Sequence, residues 1–236
     1  MKAKSEQLAE SLRHTPAKRR RAPAPTPRLP HAVRRAQILA KAADLFAEYG
    51  LTAQTRALAD ACGISQRLHY RFFPTKAALV GEVYKTEIVG PFKAAWFVQL
   101  RDRSTPVERR LNAFYRDYYE GVLRRRWLRL FLYASLAEVD IAPTYIAEII
   151  TRMLELIVEE TAHERGVQLP DDPHVRHELG WMLHGAISHL AIRRHIYRNT
   201  TPTEPHDVIA RYVRAFIAGL PAAAAAGPVS GGQIVT

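Results

Sequence analysis

Between Ser65 and Pro74 the chain places Gln66, Arg67, His69, Tyr70 and Arg71 within two helical turns. They offer two guanidinium forks, a carboxamide, an imidazole and a phenol, with no carboxylate among them. Arg pairs two-pronged with guanine and Gln with adenine at the base edges of a major groove, so a short, long-armed, cationic helix suits that task. Lys76, near the start of the next helix, is placed to pin a phosphate.

The elements that must position these groups are two short helices around a tight corner. Thr55 or Gln54 opens the first, and Leu58, Ala61 and Cys62 give it a small apolar face. Gly63 can take the left-handed conformation that ends a helix, and Ile64 plugs the corner. Ser65 is an N-cap for the second helix, and Pro74 stops it. This is the layout of a helix-turn-helix. Upstream, Ile38, Ala42, Leu45 and Tyr49 recur at helical spacing over 33–49, closed by Gly50. Arg34 and Arg35 stand in its first turn, the wrong end for cations by the helix dipole, so a nearby phosphate is a plausible compensation.

The charge distribution agrees. The chain of 236 residues carries a net charge of +11. Residues 1–30 contribute +6, residues 31–80 contribute +4, and the long remainder only +1. A polyanion partner at one end explains that asymmetry better than general solubility does. Residues 1–30 mix Lys, Arg, Ala and Pro and read as a disordered basic arm, suited to DNA phosphates or equally to being a solvated tail. Cys62 is the only cysteine, which removes a disulfide framework or cysteine metal cluster and fits a reducing cytoplasm. No apolar run looks long enough to cross a bilayer, and the first thirty residues lack the apolar middle of a secretion signal. The expectation is no membrane partner and a cytoplasmic location.

A helix ending at Gly50, then Thr55-Arg56-Ala57-Leu58-Ala59-Asp60-Ala61-Cys62-Gly63-Ile64-Ser65, then Tyr70-Arg71-Phe72-Phe73-Pro74-Thr75-Lys76-Ala77-Ala78-Leu79 resembles the N-terminal domain of the tetracycline-repressor (TetR) family of bacterial transcription regulators. The resemblance covers roughly residues 33–80. It implies that Thr55 and Arg56 reach bases or phosphates, that Gln66, Arg67 and Tyr70 face the groove, and that Arg71 and Lys76 contact phosphates. Arg67 stands where the family often has a small residue or proline, and Leu68 where a small or hydroxylated one is common. His69 stands where a buried Leu or Ile is usual. A slight rotation of the helix would bury Leu68 and present His69 to the DNA.

The rest reads as helices. One runs from Lys76 to about Leu100, interrupted at Gly90-Pro91. The next starts at Thr105-Pro106-Val107-Glu108, with Thr105 capping, and ends in Arg124-Arg125-Arg126, a run that favours the helix end and is expected to be solvated. Trp127 to Ala137 lacks polar faces and is expected to be buried. Further helices span Pro143 to Arg165, His174 to Arg198, and Thr203 to Gly219 or Pro221. The fold class is therefore all-α, with about nine helices: a three-helix head over 31–78, a helical ligand-binding and dimerisation body over 79–220, and a loose tail over 221–236. Between Glu178 and Arg193 the chain carries no formal charge, so that helix needs two neighbours. A second subunit is the expected one, through Leu183, Ile187, Leu190, Tyr212, Val213 and Phe216, an arrangement the resemblance also implies.

No phosphate-binding glycine loop or nucleophile motif is present, so no enzyme is expected. His174, His177 and Glu178 share a turn, but without a second ligand cluster no metal or cofactor is expected. A ligand cavity in the neutral, aromatic body is expected among Trp96, Phe97, Phe114, Tyr118, Phe131, Tyr133, Trp181 and His184. The reading is a homodimeric regulator that binds a double-stranded operator, a repressor released by a largely apolar small molecule. The alternatives from other classes are a DNA-bound structural or cell-division factor with the same head and no effector, and, less favoured, an enzyme with a helical body.

Overall fold

The computed structural model describes residues 29–51, 53–137, 144–199 and 201–226. The basic arm over 1–28 and the tail over 227–236 lie outside them. Ten α-helices and no strand occur among the described residues. By packing the chain divides after Arg34, and the described residues from Arg35 onward belong to the second of the two units. The second unit contains the helix-turn-helix and the helical body together, so the boundary expected near residue 78 is not a break in packing.

α1 (His31–Tyr49) buries Ile38, Leu39, Ala42, Ala43, Phe46 and Ala47 at the anticipated period. Gly50 ends it at φ +76°, and a β-carbon there would lie 3.4 Å from the Tyr133 ring. α2 (Thr55–Ala61) and α3 (Gln66–Phe72) follow, with Gly63 at φ +62° in the corner. Ser65 caps α3 by accepting from the Leu68 N–H, and Thr75 caps α4 (Lys76–Val83) by accepting from the Ala78 N–H.

α4 widens into a π-turn over Tyr84–Val89 before the chain breaks at Gly90. Its cause is local: the Thr86 hydroxyl donates to the Glu82 and Val83 carbonyls, diverting the ladder so that the Gly90 N–H reaches back to Lys85. The long helix expected from Lys76 to Leu100 is thus two helices, α4 and α5 (Ala95–Arg101), which raises the total from nine to ten.

α6 spans Val107–Gly121. Thr105 does not cap it. Instead the Glu164 carboxylate accepts from the Val107 N–H at 2.6 Å, and the Thr105 carbonyl accepts from Arg110. Arg110, almost wholly buried, also donates to Glu160, which Arg103 grips with two further bonds. Arg103, then Arg110, hold the Glu160 carboxyl below the usual carboxylate range.

α7 (Arg125–Leu136) begins inside the arginine run rather than after it. After a second π-turn over Ile146–Ile150, α8 runs Thr151–Arg165 and closes on Gly166 at φ +62°. α9 (Pro173–His195), capped by Asp172, packs against α6, α7, α8 and α10 (Pro205–Ala225). Gly180 permits the close approach to α8, since a β-carbon there would sit 2.6 Å from the Leu154 side chain.

Two expectations need correction here. α10 continues through Pro221 to Ala225, carried by good helix formers and the burial of Ala224. It is also long and apolar enough to cross a bilayer by length and composition alone. Yet Ile209, Val213, Phe216 and Leu220 are buried among the neighbouring helices, and exposed Arg211 and Arg214 stand along its middle, the pattern of an amphipathic helix packed by one face.

Candidate nucleic-acid interface

α2 and α3 turn Leu58, Ala59, Cys62, His69 and Phe73 inward. The opposite side presents Arg56, Gln66, Arg67, Tyr70 and Arg71 to solvent, with Thr55 half-buried at its edge. The Thr55 hydroxyl and the Tyr70 phenol approach to 3.4 Å, tying the first turn of α2 to the second of α3. Arg56, Arg67 and Arg71 have no acidic partner among the described residues. Seven of the eight residues expected to meet DNA therefore share one region, Lys76 lying half-buried at the start of α4.

His69 is the exception. Its side chain is fully buried, edge-on to Tyr70 and beside Phe73, and neither ring nitrogen has a partner. The helix has not rotated: Leu68 stays half-buried and His69 fills the core position as a neutral aromatic ring, its pKa lowered by burial. It cannot contact DNA, and it costs the head two unsatisfied polar atoms.

Arg35 does not wait for a phosphate. It pairs with Glu82 at 2.5 Å and lies over the Phe73 ring. The arginine run is likewise engaged. Arg125 reaches Glu48, Arg126 reaches Asp44 and Glu87, and Arg129 donates to the Ala47 and Glu48 carbonyls at the end of α1. Those carbonyls belong to the last turn, which has no helical partners of its own, and a cation there also complements the dipole. α7 thus has a polar face, Arg125, Arg126, Arg129 and Tyr133, which the apolar reading of this segment overlooked.

The other face of α7 lines a cavity of about 120 Å³ with Trp127, Leu128, Phe131 and Leu132. Of the expected lining, Tyr118, Phe131, Trp181 and His184 are there. Trp96 and Phe114 are core residues, Trp96 donating to Asp117. Phe97 borders a separate surface groove, and Tyr133 packs at Gly50 with Arg129. Trp127 and Tyr145 were missed; the four-residue spacing of Trp127 and Phe131, opposite Arg125 and Arg129, was the available signal.

The expected subunit seam is also corrected. Leu183, Ile187, Leu190, Val213 and Phe216 are at most 4% exposed in the single chain, and Tyr212 is half-buried with its hydroxyl accepting from Arg193. They fill the chain's own core, because one apolar face of α9 suffices for α6, α8 and α10. The outward strip of α9 is Met182, Gly185 and His189.

A helix-turn-helix with an exposed cationic face, joined to an all-helical body, is the form of a DNA-binding domain. Residues 38–83 match the family model described as bacterial regulatory proteins, tetR family. The chain carries the tetR-family DNA-binding domain in the fold of the TetR-family transcriptional regulators. A TetR-like transcriptional regulator from Rhodococcus sp. RHA1 is similar at TM-score 0.62 and 19% identity, over 81% of this chain and 100% of that one. A TetR-family regulator from Mesorhizobium loti MAFF303099 gives 0.55 and 16%, over 81% and 96%. The fatty acid degradation regulator FadR from Bacillus halodurans gives 0.55 and 14%, over 78% and 94%. No curated protein matches the chain.

Proposed function

We propose that this chain is a homodimeric, sequence-specific repressor whose grip on double-stranded DNA is released by a small molecule held in the body. The observation that carries the reading is α7, which walls the cavity with Trp127 and Phe131 and grips the end of α1 with Arg129. A compound that shifts this one helix necessarily acts on the position of the head. Release then needs only that the compound bind better to the arrangement unsuited to DNA.

Arg67 and Gln66 read bases, Arg71 and Lys76 hold phosphates, and Tyr70 and Thr55 brace the reading helix. Two such heads sit in successive major grooves about 34 Å apart on a near-palindromic operator. The outward strip of α9, with Met182, Gly185 and His189 at i, i+3 and i+7, is the seam that fits the burial pattern. Footprinting on the DNA upstream of the chain's own gene tests the reading. Two protected half-sites one helical turn apart are expected, and Gly185→Glu should halve the particle mass and abolish paired protection. A single half-site protected by a monomer would contradict it.

A further inference from the structure

The cavity behind α7 carries its own chemical selection. Its walls include the rings of Trp127, Phe131 and Trp181, and no charged side chain lines it among the described residues. His184, 3% exposed, and Tyr145, 1% exposed, both line this space, and Nδ1 of the one and the hydroxyl of the other have no hydrogen bond. The Tyr145 hydroxyl comes near that of Tyr118, close enough for each to influence the other's ionisation, but without good bonding geometry. Burial keeps the His184 imidazole neutral, with its pKa down at about 4, and pushes Tyr145 up to about 12. The site therefore supplies neutral donors and acceptors across the physiological range, and no counter-charge for an ion.

Buried polar atoms left unpaired are uncommon in folded proteins and call for a partner. A neutral imidazole has one donor and one acceptor nitrogen, and a phenol can do either. A hydroxyl is the ligand group that satisfies such a pair whichever way the protons lie, whereas a ketone or ether only accepts. Size sets the remainder. A dry cavity of about 150 Å³ takes benzene, so a space of about 120 Å³ between aromatic walls is nearer the size of one ring than of two fused ones. Offset or edge-on contacts with Trp127, Phe131 and Trp181 favour that ring being aromatic.

We infer that the cavity binds an uncharged single-ring phenol, its hydroxyl held by His184 and Tyr145. This deepens the proposed function, on which its role as the releasing compound rests; the binding itself stands apart.

Calorimetric titration of the full chain with phenol, toluene, benzoate and 1-naphthol decides the matter. Phenol should bind, toluene at least about tenfold more weakly because it leaves both polar groups bare, and benzoate and 1-naphthol not measurably. Tyr145→Phe should lower phenol affinity several-fold and leave toluene unchanged, with thermal unfolding showing that the variant is folded. Equal binding of phenol and toluene, tighter binding of benzoate or naphthol, or no binding of phenol overturns the assignment. Phenol that binds but leaves the protein on DNA upholds the assignment and defeats ligand release. Release by anions or fused rings alone does the reverse.

Discussion

Two sets of arginines do opposite things in this molecule. On α3, Arg67 and Arg71 stand exposed, with no carboxylate partner among the described residues. On α7, Arg125, Arg126 and Arg129 all hold acids or carbonyls of α1 and of the π-turn after α4. The side chain is the same, and what differs is whether the fold supplies its anion. Unpaired cations grouped on one face mark where an anion must come from outside, while paired ones mark a joint between parts of the chain. The triplet Arg124-Arg125-Arg126 is the denser run in sequence, yet its members at 125 and 126 are spent internally.

The largest effect should come from the deepest engaged cation. Glu160→Ala removes the nearer of the two carboxylates facing buried Arg110, leaving only Glu164 at 3.5 Å, and should cost about 2–4 kcal/mol in urea unfolding, with the exposed face of α3 untouched. A loss near zero would mean that the pair is not structural. Its pH dependence has a definite sign. Because the folded Glu160 pKa lies below its ordinary 4.5, the contribution is complete above that value and is lost as pH falls below it.

Arg67→Ala should do the converse. It should leave unfolding within about 0.5 kcal/mol of wild type and weaken operator binding by about 1–3 kcal/mol, with relaxed base preference. Equal binding to operator and scrambled duplex by wild type and variant alike would erase the distinction between the two arginine sets.

His69→Leu should stabilise the protein by about 1 kcal/mol at neutral pH, by removing two buried unpartnered nitrogens. The folded imidazole pKa is lowered by burial, so wild-type stability is full above 6.5 and declines as pH falls below it. In a melting series from pH 7.5 to 5.0, part of that decline should vanish in the variant. The smallest change belongs to Lys76→Ala, a loss under about 1 kcal/mol shared by every DNA sequence, with the salt slope reduced by about one.

Much of this was legible in the residues. Gly50, Gly63, Ser65, Pro74, Thr75, Gly166 and Asp172 each carry their turn or cap chemistry locally, so the helices and the head followed from short stretches. The inward or outward sense of His69 was not legible, because a neutral imidazole suits a core or a groove and only Phe73 and the surrounding packing decide. Leu183 and Ile187 were misread for a related reason: periodicity identifies an apolar face without saying whether a neighbour of the same chain already covers it. The roles of Arg125, Arg126 and Arg129 depended on Asp44, Glu48 and Glu87, distant in sequence, and the π-turn at Tyr84–Val89 depended on a single hydroxyl, that of Thr86.

The most direct measurement is the salt dependence of binding to a labelled duplex from the DNA upstream of the chain's own gene, compared with an Arg67→Ala/Arg71→Ala double variant. Wild type should bind at low ionic strength, with the logarithm of affinity falling linearly against the logarithm of salt concentration. The double variant should bind more weakly and with a shallower slope. A protein that ignores the duplex at low salt, or a double variant that binds it with unchanged affinity and slope, would contradict the assignment of α3 as the reading helix.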